Sequence, residues 1–244
     1  MAKSSRGGRR ASSSSQQSHT GATILSTGGG TIQSTRNYTQ MTDQYAQQLR
    51  DDMDDSYDPD VSNAIKLYIS KKDVNGDGYS YSQNLNYKLD NGLPLDVNEK
   101  YIDTFIQQGM HDIGQDTVLF RACHDDILKK CGINDYTKLN DSQLQSKLIG
   151  TEFITTSYTS ASYDKAKNPF TNPSSGVSGG REVFMNIKAS STTKMVFGAK
   201  SQAEMVLNKG TKMRITGIHY DGTYASPRNS GRKPRVVIDI ETFD

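Results

Sequence analysis

The spacing of apolar residues changes near the middle of this 244-residue chain, and that change restricts the possible folds more than any other feature. From residue 61 to residue 108, apolar side chains recur every three or four positions, which predicts helices, the last over 97–108 with Gly109 at its end. From Val118 onward, apolar and polar residues alternate in short runs, which predicts strands. The predicted strands are 118–122, 152–158, 182–189, 194–197, 204–207, 212–220 and 235–242. Helices followed by strands predict the α+β fold class.

Residues 1–42 consist mostly of serine, glycine, threonine, glutamine and arginine, with no acidic side chain. Their five cations are Lys3, Arg6, Arg9, Arg10 and Arg36. Such a segment buries too little apolar surface to offset its ordering entropy, so we expect a basic Ser/Gly-rich tail that is disordered when free. It serves either as a solubilising tail or as an arm that contacts a capsid or nucleic acid through its cations.

Two acidic segments follow the tail. Residues 43–60 are rich in aspartate and predict a solvated linker or a helix start rather than a metal site, which leaves 61–244 as the folded domain. Residues 73–78 match the first six positions of a calcium-binding EF-hand loop, but position twelve would be Asn84 instead of glutamate. We therefore expect a glycine-rich turn there.

The sequence disfavours several classes of protein. No run of about 18 apolar residues occurs, so we expect no membrane span. The basic start lacks the apolar stretch of a secretory signal, although its arginines and serines also fit an organelle transit peptide. Cys123 and Cys131 have no metal-binding partners close in sequence, so we expect reduced thiols in a cytosolic setting.

Three short polar motifs on predicted strands could carry chemistry. Arg121 ends an apolar run, where its guanidinium needs a partner, so it forms either a structural ion pair or an anion site. The run Thr155-Thr156-Ser157 has hydroxyls that can hydrogen-bond across a cleft, although threonine is also common in ordinary strands. Gln202 and Glu204 flank one residue, so in an extended segment both side chains face the same side, although such a pair also fits a surface loop.

Arg121 and Ser157 are separated by 36 residues, and Ser157 and Glu204 by 47. In this order and with this spacing, the three motifs resemble the arginine/Ser-Thr-Ser/glutamate class of mono-ADP-ribosyltransferases. That class includes the C3-like exoenzymes and transferases carried by bacteriophages. The resemblance covers residues 60–244 and implies a split pair of β-sheets with N-terminal helices. It also implies that NAD+ binds in the cleft as a substrate, with no metal required.

The resemblance implies a role for each motif. Arg121 would hold the NAD+ phosphates, and Glu204 would be the catalytic carboxylate. Thr155, Thr156 and Ser157 would shape the pocket for the nicotinamide ribose. Gln202 would face the acceptor, and because members that modify arginine usually carry glutamate there, arginine is not the expected acceptor.

Two loops would complete the site that the resemblance implies. The stretch 195–201 resembles the loop that presents the acceptor protein, with Phe197 as an exposed contact. The loop between residues 163 and 181 would cover the phosphates, with Phe170 stacking on nicotinamide and Arg181 pairing with phosphate.

The leading interpretation is an NAD+-dependent transferase encoded by a bacteriophage. It would be carried in the virion or act in the cytoplasm of the host bacterium, where it modifies a host protein. One alternative is a non-catalytic virion structural or decoration protein of the same fold. Another is a secreted C3-like toxin that acts on a eukaryotic GTPase. NAD+ hydrolysis, with water as the acceptor, is a variant of the same chemistry.

Overall fold

The computed structural model describes residues 21–29, 36–73, 78–168, 181–225 and 232–244. The helices are α1 (Asp43–Ser56), α2 (Pro59–Ile69), α3 (Tyr81–Asp90), α4 (Val97–Gln108), α5 (Asp126–Lys130) and α6 (Asp141–Leu148), with 3-10 turns at Tyr136–Lys138 and Lys200–Gln202. The strands are β1 (Ala22–Ser26), β2 (Thr39–Gln40), β3 (His111–Asp112), β4 (Thr117–Cys123), β5 (Glu152–Thr155), β6 (Thr159–Ser162), β7 (Val183–Ala189), β8 (Lys194–Phe197), β9 (Glu204–Leu207), β10 (Lys212–Ala225) and β11 (Arg232–Phe243). The four longest helices precede all but two strands, which confirms the predicted α+β class.

The strands form one continuous hydrogen-bonded path with a weak point in the middle. Their order is β1-β5-β10-β11-β7-β4-β6-β9-β8-β3, with β2 beside β4. A single residue pair, Phe120 with Ser162, joins β4 to β6. We call this place the junction, because it divides the sheet into a larger lobe ending at β4 and a smaller lobe of β6, β9, β8 and β3. The split pair of sheets that the resemblance implies is therefore present as two lobes of one sheet.

The predicted strand 152–158 is interrupted in the structure. β5 ends at Thr155 and pairs with β1 and β10 in the larger lobe. β6 begins at Thr159 and pairs with β9 in the smaller lobe. Residues 156–158 therefore carry the chain from one lobe to the other, and the hydroxyl run 155–157 lies at this crossing instead of along a strand.

Local signals set the start of the helices that pack on the smaller lobe. Ser80 and Gln83 form a capping box at α3, and Asp96 and Glu99 form another at α4, so each helix start satisfies its own backbone N–H groups. Lys88 on α3 donates to the buried Glu99 carboxylate at 2.6 Å, which ties the two helices together. The helices reach the sheet through a buried apolar cluster: Val61, Ala64, Ile65, Tyr68, Leu85, Ile102, Ile106, Tyr158, Val196 and Val206.

The N-terminal segment departs from the sequence prediction where it is described. β1 pairs with β5, and β2 pairs with β4, so the predicted disordered tail 1–42 is wrong for these residues. Backbone hydrogen bonds to an available strand do not need apolar side chains, which explains why composition missed them. Residues 1–20 and 30–35 lie outside the described residues.

The predicted acidic linker 43–60 is helical. It forms α1 and the first turn of α2, which matches the helix start left open above rather than a linker. Its aspartates lie mostly on the exposed face of α1, whereas Ala46 and Met53 are buried and Leu49 packs on the core. Aspartate-rich composition concealed this narrow apolar stripe.

Other sequence predictions concern metal, thiols and membranes. Gly78 donates its N–H to the Asp73 carboxylate at 2.9 Å in the predicted turn, of which residues 74–77 lie outside the described part. Cys123 and Cys131 are not joined by a disulfide, and burial raises the pKa of Cys131 to about 11. Within the described ranges, no helix is long and apolar enough to cross a membrane, and no cluster of three or more histidine, cysteine or acidic side chains is placed to hold a metal ion.

Candidate active site

The junction brings together polar residues from three neighbouring strands. Arg121 on β4 is 7% exposed, and its Nη1 donates to the Ser160 carbonyl oxygen on β6 at 2.6 Å. Ser162, also on β6, pairs with Glu204 at the start of β9. Arg121 and Glu204 therefore lie on either side of β6, with the two serines between them. A cation and a carboxylate separated by one strand can bind the anionic and the cationic part of one ligand.

Ser162 also holds the segment before Glu204. Its Oγ lies 2.8 Å from the Gln202 carbonyl oxygen, and the Tyr163 N–H donates to the Ala203 carbonyl at 3.0 Å. The residues just before Glu204 are thus attached to the end of β6 by side chain and backbone.

The predicted run Thr155-Thr156-Ser157 lies away from Glu204. Its first hydroxyl hydrogen-bonds with the carbonyl of Asn208 and the N–H of Thr211, at 3.2 and 3.1 Å. Thr156 donates to Asp90 of α3 at 2.7 Å. In the β6–β9 ladder Ser162 faces Glu204 and Thr159 faces Leu207, so at about 3.3 Å per residue even Thr159 is roughly 10 Å along the strand from the Glu204 pair. The structure therefore does not bring 155–157 to Glu204, and it puts Ser160 and Ser162 there instead.

Glu204 is oriented by the loop that precedes it, residues 198–203, which we call the 198–203 loop. The Ala199 N–H donates to Glu204 Oε2 at 2.8 Å, and the backbone groups of Gly198 and Glu204 are hydrogen-bonded at 2.9 Å. Within the described residues, Glu204 Oε1 has no hydrogen-bond partner. The loop thus fixes one carboxylate oxygen and leaves the other for a ligand.

Gly198 makes this arrangement possible, which gives a testable prediction. A Cβ at this position would lie 2.4 Å from Glu204 Oε2, and the backbone of Gly198 has no positive φ, so alanine fits the chain but not the carboxylate. We expect Gly198→Ala to displace the carboxylate, to lower kcat of the reaction at this site about tenfold to a hundredfold, and to leave the melting temperature nearly unchanged.

Gly29→Ala is the matched control for this measurement, because a Cβ at Gly29 meets nothing within 4 Å. Equal steady-state kcat for the Gly198 variant and the control would contradict the role given to Gly198.

Gln202 and Glu204 do not lie in one extended segment, which was the condition for both side chains to face the same side; the structure instead fits the alternative of a loop before the strand. Gln202 ends a 3-10 turn, and Ala203 between them has a left-handed backbone with φ of 47°. A left-handed residue reverses the local direction of the chain, so strand alternation does not apply here. Gln202 is half-buried next to the exposed Lys200 and Ser201, at the outer end of the site.

Tyr68 on α2, which was not selected from the sequence as a site residue, packs beneath the sheet close to Arg121 and Glu204. Its ring packs edge-on against Tyr158 with centroids 5.6 Å apart, and its hydroxyl accepts from Asn86 Nδ2 at 3.0 Å. Ser160, Glu204 and Arg121 all lie close enough to Tyr68 to influence the ionisation of its hydroxyl. Burial raises the pKa of Tyr68, so the phenol is neutral and can serve as a hydrogen-bond donor.

Arg181 lies near the end of β4, before β7, and is almost fully buried. Its Nη1 is hydrogen-bonded to His124 Nε2, and His124 Nδ1 lies 2.7 Å from Glu182. If arginine donates to Nε2, the histidine is the neutral Nδ1–H tautomer that donates to Glu182. Arg181 is thus fixed three to four residues along the sheet from Arg121. Phe170 lies outside the described residues.

Phe197 is not the exposed contact that the sequence predicted. It is only 4% exposed and belongs to the main core cluster. The Arg50 guanidinium from α1 lies over its ring, 4.4 Å from the centroid. The prediction failed because residue 197 ends β8 and faces inward, whereas the exposed residues of the loop are Lys200 and Ser201.

Comparison with known proteins gives one family. Residues 38–243 match the family model described as ADP-ribosyltransferase exoenzyme, so the match begins before the predicted domain boundary at residue 61 and includes the whole segment 43–60 predicted as a linker. A search of curated protein sequences gave no match.

Solved structures of toxins share the fold. Plx2a, an ADP-ribosyltransferase toxin from Paenibacillus larvae, superposes with a TM-score of 0.59 at 14% identity over 82% of this chain and 94% of its own. The C3 exoenzyme of Clostridium limosum gives 0.54 at 16% identity over 86% of this chain and 98% of its own. The enzymatic component C2-I of the C2 toxin from Clostridium botulinum gives 0.60 at 16% identity over 91% of this chain and 56% of its own. At these identities the structures establish a shared fold.

Proposed function

The chain belongs to the ADP-ribosyltransferase exoenzyme family, and from this premise we propose that the junction cleaves NAD+ and passes ADP-ribose to a protein side chain other than arginine. The observation that carries the proposal is the placement of Arg121 and Glu204 on either side of β6. NAD+ is the substrate of this family, and a protein supplies the acceptor.

The residues at the junction fit NAD+. The diphosphate needs a cation, and the guanidinium of Arg121 is fixed there by the Ser160 carbonyl.

The proposed chemistry centres on Glu204. As the bond between the ribose C1′ and the nicotinamide nitrogen breaks, nicotinamide leaves with the bonding electrons and the ribose becomes an oxocarbenium ion. A carboxylate held by the Ala199 N–H stabilises that positive charge, which is greatest near the transition state. Its other oxygen would hold the ribose 2′-hydroxyl. This chemistry needs no metal, so we expect full activity in the presence of EDTA.

Gln202 supports an acceptor other than arginine. A guanidinium, which is protonated at any physiological pH, must lose a proton before it attacks, and a neutral amide cannot take that proton. Gln202 lies beside the exposed Lys200 and Ser201, where a protein acceptor would approach. The carboxamide of asparagine or glutamine is the better match, because an amide can hydrogen-bond with another amide through one donor and one acceptor.

A matched pair of serine variants tests where the hydroxyl motif lies. Ser157 and Ser162 are both buried, at 2% and 3% exposure, so serine-to-alanine removes a buried hydroxyl in each case. We expect Ser162→Ala to lower kcat/KM for NAD+ cleavage at least about tenfold, because the Gln202 carbonyl loses its partner. Ser157→Ala should remain within about twofold of the wild type. A large loss in Ser157→Ala with little change in Ser162→Ala would show that residues 155–157 form the hydroxyl motif of the site.

Labelling of a bacterial lysate tests the transfer reaction. The purified chain is incubated with biotin-tagged NAD+, beside the Glu204→Gln variant. Discrete labelled proteins that are absent with the variant support the proposal, and mass spectrometry then identifies the modified side chain. Labels found mainly on arginine would contradict the role of Gln202. Nicotinamide release without labelled proteins would contradict transfer to a protein and indicate that the chain hydrolyses NAD+ with water as the acceptor.

We also propose that a bacteriophage encodes the chain, that the virion carries it, and that it modifies a protein of the infected host. Support comes from the basic tail, whose cations Lys3, Arg6, Arg9 and Arg10 suit contact with a capsid or with packaged nucleic acid. Mass spectrometry of purified virions tests the packaging. Particles that lack the chain would contradict it.

A further inference from the structure

Arg50, on the helix that the sequence analysis assigned to a linker, makes two contacts with the end of β8 and the 198–203 loop. Its guanidinium lies over the Phe197 ring, 4.4 Å from the centroid. Its Nη1 donates to the Gly198 carbonyl oxygen at 3.1 Å. One side chain therefore holds two consecutive residues at the point where β8 turns into the loop.

The first two loop residues bear directly on Glu204. Gly198 donates its N–H to the Glu204 carbonyl at 2.9 Å, and Ala199 donates to the Glu204 carboxylate at 2.8 Å. A continuous chain of contacts thus leads from α1 through the Gly198 backbone to the carboxylate. Arg50 is half-buried, and desolvation lowers its pKa, with Asp54 opposing that shift. The guanidinium nevertheless stays charged, because arginine is protonated at any physiological pH.

We propose that Arg50 is a positioning residue for the reaction: it holds the 198–203 loop so that the loop's backbone keeps the Glu204 carboxylate aimed at the nicotinamide ribose. Arg50 itself does not touch NAD+. The inference rests on the proposed function for its catalytic consequence, although the effect on the loop can be measured without NAD+.

The test compares Arg50→Met with a matched control. Methionine keeps an apolar side chain over Phe197 but loses the charge and the hydrogen bond to Gly198. Arg214→Met is the control, because the Arg214 guanidinium also lies over a ring, 4.7 Å from that of Phe243, and pairs with Glu152, at a place remote from the loop. Arg50→Lys keeps the positive charge but lacks the forked donors, so its kcat should lie between those of Arg50→Met and the wild type.

We expect Arg50→Met to lower kcat for nicotinamide release about tenfold, with KM for NAD+ changed less than about twofold, because the NAD+ contacts remain and the carboxylate is misplaced. Hydrogen–deuterium exchange without NAD+ should become faster at the backbone amides of residues 198–204. Arg214→Met should change neither kcat nor that exchange.

Unchanged exchange at 198–204 together with unchanged kcat in Arg50→Met would overturn the proposal. The same holds if Arg214→Met lowers kcat as much as Arg50→Met does, since the effect would then be one of general stability. If the wild-type chain releases no nicotinamide, the proposed function fails, and the exchange comparison still decides whether Arg50 holds the loop.

Discussion

Replacing Glu204 with glutamine is expected to lower kcat for nicotinamide release about a thousandfold, while KM for NAD+ changes little. Glutamine has nearly the same shape, and its amide oxygen can still accept from the Ala199 N–H, so the loop keeps its geometry. What is lost is the negative charge that stabilises the oxocarbenium ion, and a thousandfold corresponds to about 4 kcal/mol of transition-state stabilisation. Steady-state nicotinamide release measures this directly.

Glu241→Gln provides a control for this substitution. Glu241 accepts from the Tyr38 hydroxyl at 2.6 Å on β11, in the larger lobe of the sheet. We expect this variant to keep wild-type kcat. A Glu204→Gln enzyme that retains more than about a tenth of wild-type kcat would show that the charge on residue 204 is not the main source of rate.

Replacing Arg121 with lysine is expected to raise KM for NAD+ about a hundredfold, with a smaller fall in kcat. Lysine keeps the positive charge at this buried position, so the groups that surround the guanidinium still face a cation. It lacks the forked donors, however, and cannot hold the Ser160 carbonyl and a phosphate together. A phosphate contact stabilises bound NAD+ and the transition state to a similar extent, so its loss raises KM more than it lowers kcat.

Arg214→Lys tests whether arginine-to-lysine is harmful by itself, because Arg214 pairs with Glu152 through two nitrogens. We expect that variant to keep wild-type KM. A KM for Arg121→Lys within about threefold of the wild type would contradict a phosphate role for Arg121.

The fold could be predicted largely from residue patterns. Apolar alternation predicted β8 and β9 with correct bounds, and the helix spacing predicted α4, because these elements have one face toward a core. The three-part motif then led to the correct family. Arg121 and Glu204 were selected from the sequence by the order and spacing of the three motifs, because each charged residue taken alone also fits a structural ion pair or a surface loop.

The position of the hydroxyl motif could not be decided in the same way. The chain has two runs of hydroxyl residues close together, Thr155-Thr156-Ser157 and Thr159-Ser160-Ala161-Ser162. Only strand pairing shows that the second run faces Glu204, and pairing depends on contacts between β6 and β9 that are more than 40 residues apart in sequence.

The errors at Phe197 and at the linker have a related cause. Phe197 was predicted to be exposed because the family resemblance places it in the loop that presents the acceptor protein, yet its ring is covered by Arg50 of α1. That helix was left as an alternative to a linker, because the aspartates in 43–60 outweighed two buried residues, Ala46 and Met53. Contacts between a helix and a distant loop are tertiary, and no local pattern reports them.

The most direct test of the central claim is a crystal structure of the Glu204→Gln variant with NAD+, since this variant should bind the substrate without consuming it. We predict the nicotinamide ribose beside residue 204, the diphosphate against Arg121, and Ser160 and Ser162 lining the gap between them. NAD+ bound along 155–157, or at any place where neither Arg121 nor residue 204 touches it, would contradict the junction as the active site.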